Sequence, residues 1–304
     1  MEKGTKWQKT LYAEQPFADN YTDPDDFLRE LITNARFQPK NYWTVVCDAA
    51  MVTQEVSLVV AVSAAFTHAM RLSAVSNHDV LTCQLTAANV ALLLGGWICR
   101  SLIGCDPRPN RAKASARLAT PPKAIMAHGL RQASLLVVGV WFMSPLTQTL
   151  TYSISEDTII ATVVISFLFH LFLHDYSFMF SITDKLTGST ALGLAVFASV
   201  LMASRLPSAN LVFALMLFSL EVFMLSPFLR RDLRRHSIPG HACLSLLLLL
   251  LAFLLCLPLS AFLAAAFLHL VLFITFLCPY FLTKIQKFKI QINGPWDEAK
   301  PSLS

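Results

Sequence analysis

His170 and His174 stand four residues apart, with Asp175 directly after the second. On a helix that spacing puts two imidazoles on one face, where they could hold a metal ion. One such pair fills only part of a coordination shell. The remaining histidines, His68, His78, His128, His236, His241 and His269, form no second cluster of the kind a membrane-bound metal oxygenase needs. The favoured reading is therefore structural, with both side chains bonded within the protein and no metal or cofactor held.

Three other charged positions are unusual because of their apolar surroundings. Glu221 lies inside the apolar run 208–228, so it must be protonated, paired or beside a water-filled cavity; a single structural hydrogen bond is the simplest solution. A proton relay would need further partners, and Asp48, Glu55 and Arg131 lie on other segments. Arg205, in Ala203-Ser204-Arg205-Leu206-Pro207, sits at the wrong end of a span for the positive-inside bias and needs a partner. Asp157 is the nearest acidic candidate by topology, and the two are expected to form a charge-assisted pair.

The elements that position these residues are membrane helices. Hydrophobic residues make up 55% of the 304 and charged ones only 14%, and the mean hydropathy is +0.55. A soluble domain carries about 25% charged residues. The tract from Ala242 to Leu282 would be about 60 Å long as one helix, twice the hydrocarbon thickness, so it divides near Pro258. The same reasoning gives spans near 47–71, 79–103, 124–147, 158–174, 187–204, 208–228, 241–257 and 260–282. The fold class is thus all-α, a polytopic membrane bundle of about eight helices.

Lys and Arg set the orientation. Arg100 to Lys123 flank the second loop, Arg230 to Arg235 the sixth, and Lys284, Lys287 and Lys289 the tail, all on one side if eight spans are right. Both termini are then cytosolic, and the net charge of +5 reads as topology, not as a nucleic-acid surface. The seven cysteines include no Cys-x-x-Cys. No Gly-rich phosphate loop follows a strand, and the longest polar segment is too short for a doubly wound domain, so a nucleotide-sugar site is not expected in this chain. The chain divides into a cytosolic segment 1–44, a membrane domain 45–283 and a cytosolic tail 284–304. After Asp23-Pro24-Asp25-Asp26, the residues Phe27, Leu28, Leu31, Ile32 and Ala35 predict a short amphipathic helix.

Polar motifs outside the spans carry a resemblance. In the N-segment they are Trp7-Gln8-Lys9, Leu11-Tyr12, Gln15-Pro16-Phe17 and Asp19-Asn20-Tyr21. Further on come Ser144-Pro145, Asp157-Thr158-Ile159, His170-Leu171, Asp175-Tyr176, Phe197-Ala198-Ser199 to Pro207, Cys278-Pro279 and Gly294 to Ala299. Together these residues resemble the phosphatidylinositol-glycan class C family, whose members belong to the complex that starts glycosylphosphatidylinositol (GPI) anchor synthesis.

The resemblance implies an endoplasmic-reticulum membrane protein in a transferase that moves N-acetylglucosamine from UDP-N-acetylglucosamine to phosphatidylinositol. It also implies that the class A subunit does the sugar chemistry and that class H, P, Q and Y subunits accompany it. The family pattern lacks the histidine at 174, which weakens the metal reading. Expected partner or lipid contacts are Trp7, Pro16, Phe17, Asp19, Asn20, Tyr21, Asp157, Asp175, Arg205, Trp296, Asp297 and Glu298, with large aromatics as anchors. Two other readings are a membrane-embedded metalloenzyme built on His170, His174 and Asp175, and a lipid transporter using Glu221 and Arg205.

Overall fold

The computed structural model describes residues 14, 16–18, 21, 32–33, 39–74, 78–104, 122–176, 189–290 and 292–293. Among these, eight helical rods follow one another: α1 (Tyr42–Ser73), α2 (His78–Gly104), α3 (Pro122–Leu150), α4 (Glu156–Leu173), α5 (Ser189–Ala203), α6 (Ala209–His236), α7 (Ile238–Cys256) and α8 (Ala261–Phe288). Six of them are long and apolar enough to cross a membrane, and α3 and α5 contribute the shorter apolar stretches Ser134–Thr149 and Ser189–Ala203. Among the described residues the membrane domain is all-helical.

Two compact units emerge. One comprises residues 46–277; the other comprises 1–45 and 278–304. In the second unit Ile32–Thr33 pairs antiparallel with Ile292–Asn293. The amphipathic helix expected after Pro24 falls mostly outside the described residues, and its positions Ile32 and Thr33 are strand.

α1 is central to the first unit. Every residue from Thr53 to Val59 is buried, which an α-helix achieves only when surrounded on all sides. Leu58, Val59 and Val62 pack with Ile159, Val163 and Phe167 of α4, Ala195 and Ala198 of α5, and Phe223 of α6. Val56 and Ala61 pack with Ala252 of α7 and Phe267 and Val271 of α8. On α5 the small residues Ala191, Ala195 and Ser199 recur every four positions, all 2% exposed or less, a repeat that lets backbones approach closely in lipid; the Ala191 carbonyl lies 2.7 Å from His170 Nδ1 of α4.

Local irregularities follow from proline. Pro145 interrupts α3 and cannot donate to the Trp141 carbonyl; the Ser144 hydroxyl donates to it instead, at 3.0 Å. In α6 and α8 the helix widens into π turns at Glu221–Leu225 and Phe273–Leu277, and each turn ends two residues before a proline, Pro227 and Pro279. α4 starts at Ser155, whose hydroxyl accepts from the Thr158 amide, with Glu156 and Asp157 in the first turn where the helix dipole favours anions.

Candidate functional site

The buried polar band of α1 collects the charges of the other helices. Glu55 is 0% exposed, and its Oε2 accepts from Arg230 Nη2 of α6 at 2.7 Å. Its Oε1 lies 3.2 Å from His170 Nε2 and 3.7 Å from His174 Nδ1. Two turns away along α1, Arg234 Nη2 donates to Asp48 Oδ1 at 3.1 Å. Glu55 meets Arg230 while the earlier Asp48 meets the later Arg234, so α1 and α6 run antiparallel. Around this centre, Gln54 donates to Ser245 Oγ and lies 3.4 Å from His241 Nε2, and the Thr53 and Thr275 hydroxyls are 3.0 Å apart.

The protonation pattern at His170 is constrained by geometry. Its Nδ1 is 2.7 Å from the Ala191 carbonyl, which only accepts, so Nδ1 carries hydrogen. The contact of Nε2 with Glu55 is then attractive only if a proton or a metal cation stands between two atoms that otherwise both accept. Phe223 closes one side, its ring 5.2 Å from the imidazole. Beyond the end of α4, burial pushes His174 below its ordinary value of 6.5; Glu55 opposes that shift and Arg230 adds to it. Burial likewise raises the Tyr176 phenol, whose hydroxyl donates to the Leu171 carbonyl at 2.8 Å.

The depressed His174 value has a signed consequence. The unfolded chain takes up this proton more readily than the folded chain, so the stability contributed by neutral His174 is complete above about pH 6.5. It is lost as pH falls toward the lower folded value. Thermal melts at about pH 7.5 and about pH 5.5 are expected to show a smaller acid loss for His174→Asn than for the unaltered chain. Equal losses would show that another group controls the acid limb.

Spacing along the sequence groups His170, His174 and Asp175. The structure joins Glu55 to the two histidines, giving three ligating atoms within 4.8 Å of one another, while Asp175 is half-buried beside them. The signals for Glu55 are its position in an apolar span and the need of any such charge for a partner. Arg230, which the sequence presents as a topology-setting charge, is that partner.

Arg205 differs from expectation. It donates through Nη2 to the carbonyls of Thr151, at 3.2 Å, and Ile154. Asp157 is exposed, and no ion pair joins it to Arg205 among the described residues. The preceding turn brings backbone acceptors to the guanidinium, and they take the place assigned to a carboxylate. Arg205→Ala is expected to cost about 1.5–3 kcal/mol in thermal stability, and Asp157→Asn under about 1 kcal/mol. Equal losses would restore the pair.

Glu221 also departs from expectation: among the described residues both of its carboxylate oxygens are buried without a hydrogen-bond partner. Phe17 and Tyr21 stack with ring centroids 4.6 Å apart and 16° between planes, and Pro16 beside them is exposed. Trp7, Asp19, Asn20, Trp296, Asp297 and Glu298 lie outside the described residues.

A bundle of long apolar helices tied through its central helix by buried ion pairs defines a polytopic membrane protein. Across residues 7–297 the chain matches the family described as phosphatidylinositol N-acetylglucosaminyltransferase (GPI2), and it belongs to that family. It is 38% identical over 294 residues to the putative C subunit of phosphatidylinositol N-acetylglucosaminyltransferase from Dictyostelium discoideum, covering 97% of this chain and 79% of the relative. It is 33% identical to the C subunit from Homo sapiens, covering 98% and 94%, and 31% identical to the GPI2 subunit of Schizosaccharomyces pombe, covering 98% and 87%. No solved structure matches the chain.

Proposed function

We propose that this chain is a non-catalytic membrane subunit of the transferase that moves N-acetylglucosamine from UDP-N-acetylglucosamine to phosphatidylinositol, the first step of GPI-anchor synthesis. The observation that carries this reading is the family match over residues 7–297, with relatives named as the C subunit of that transferase. The class A subunit supplies the chemistry, class H, P, Q and Y subunits complete the assembly, and the site of action is the endoplasmic-reticulum membrane. The buried cluster supports a scaffolding role, because the charges of Glu55 and Arg230 are bonded to each other at 2.7 Å in the interior.

The proposed topology is eight spans with cytosolic termini, dividing the chain into segment 1–44, membrane domain 45–283 and tail 284–304. Pairing of Ile32–Thr33 with Ile292–Asn293 favours an even number of crossings, because paired strands lie on one side of a membrane. Trp7, Pro16, Phe17, Asp19, Asn20, Tyr21, Trp296, Asp297 and Glu298 are the proposed cytosolic contacts for partner subunits or phosphatidylinositol. Asp157, Asp175 and Arg205 are proposed contacts elsewhere on the chain.

The test is affinity purification of the tagged chain with a transferase assay, repeated on a chain truncated after Asn293. That cut spares the paired strand and removes only Gly294 onward. Loss of the catalytic subunit and of activity is expected; full recovery of both would refute the tail's role. A second reading, a metalloenzyme, draws on the three ligating atoms of Glu55, His170 and His174. Stoichiometric zinc in the purified chain, lost in His174→Gln, would favour it.

A further inference from the structure

Glu221 is one of the residues lining a cavity of about 370 Å³, together with Ser57 and Leu58 of α1. Its walls come from α6 and from the flanks of α2 and α7, where Trp97 and Leu247 are exposed. These two helices are thinly covered: 11% of the apolar window of each is buried, against 67% for α1 and 61% for α6. The crevice therefore opens sideways between two bare helices. Glu221 itself is 6% exposed, and both its oxygens lack a partner among the described residues. The other charge on the wall, Arg230, is committed to Glu55 at 2.7 Å.

We propose that this crevice seats a membrane-spanning helix of another subunit, which carries a lysine or arginine that pairs with Glu221. Three observations select that occupant. Glu221 follows Ala209 by twelve residues, about 18 Å along the axis, which is mid-bilayer depth. Charged and hydrogen-bonding groups of lipids stay near the interface, whereas a helix places a side chain at any depth. A helix is about 10–12 Å across, too thick for the cavity, so it lies over the mouth on α2 and α7 and sends one side chain in. Both buried acceptor oxygens are met by an ammonium or guanidinium, whose charge would also hold the carboxylate ionised, while a single hydroxyl would leave one oxygen bare. The inference rests on the subunit role above and names the surface that role uses.

The test introduces a photo-crosslinking residue at Leu247 in the tagged full-length chain, expressed in its own cells with its partners, and sequences the adduct by mass spectrometry. The expected adduct is an apolar span containing Lys or Arg, its yield falling about ten-fold or more in Glu221→Ala. Glu221→Lys is expected to regain the adduct when the partner's basic residue is changed to Glu. Should Glu221→Ala not be recovered folded, Glu221→Gln keeps the shape, removes the charge and is read the same way. A crosslinker at the exposed Ile160 of α4 is expected to yield no such adduct. Adducts to lipid alone, or a partner yield indifferent to Glu221, overturn the proposal. Transferase activity in the wild-type eluate separates the two readings: its absence sinks the subunit role, and its presence without a helix adduct sinks the crevice proposal alone.

Discussion

Glu55→Ala is expected to destabilise the folded chain by about 3–5 kcal/mol, the largest effect of any single change in the bundle, because it strands a guanidinium in the interior. Arg230 is 1% exposed, so water cannot replace its counter-charge unless α1 and α6 separate. The same change leaves His170 Nε2 and His174 Nδ1 without their shared acceptor. Arg230→Ala should be as severe, since it leaves the carboxylate uncompensated. Replacing both residues, Glu55→Leu with Arg230→Met, is expected to recover most of the loss, because buried pairs exchanged for packed apolar groups are often neutral or stabilising. Thermal melting of the detergent-purified chain reads all four states. If each single variant loses under about 1 kcal/mol, the pair is not central to stability. The double variant also divides the functional readings. If folding and transferase recovery both return, the cluster is architectural; if only folding returns, its charges serve chemistry or a metal.

Ala195→Leu should cost about 1–3 kcal/mol by overpacking. Ala195 is 0% exposed, in the core that α5 shares with α1, α4 and α6, between Ala191 and Ser199 on the same face. Three added carbons have nowhere to go unless α5 moves away from its neighbours, α4 among them. Parting them also draws the Ala191 carbonyl away from His170 Nδ1, now 2.7 Å distant, and with it the group that fixes the imidazole's orientation. The damage is therefore expected to reach the cluster as well as the local packing. Gly193→Ala is the control: Gly193 is exposed on the same helix, and an added Cβ there meets nothing within 4 Å. That change should be neutral, or stabilising by up to about 1 kcal/mol through helix propensity. A bundle that tolerated leucine at 195 as readily as alanine at 193 would not have the close contact described.

The helices are legible in the sequence because an apolar run long enough to cross a bilayer has few other ways to satisfy its backbone. The division near Pro258 follows from local chemistry and stands, whereas α4 begins at Glu156, capped by Ser155, two residues before the position expected from the apolar run. The cluster is legible only in part. His170 and His174 announce themselves by their spacing, but Glu55 is 115 residues from His170 and 175 from Arg230, and no local pattern encodes such a pairing. Arg205 shows a second limit: reasoning from charge seeks a carboxylate, while the folded turn offers the carbonyls of Thr151 and Ile154. The π turns escape an apolar-run reading too, although a proline follows each by two residues and supplies a local cause.

The separation of Glu55 from Arg230 also bears on how the chain is made. The first helix enters the membrane carrying an acid whose counter-charge lies 175 residues further along the nascent polypeptide. At about 5–20 residues per second, roughly 9–35 s pass before that residue leaves the ribosome. During this interval the α1 carboxylate must be protonated, held in the insertion machinery, or sheltered by a helper. Biogenesis of this protein should therefore be unusually sensitive to anything that hastens release of its first span into lipid.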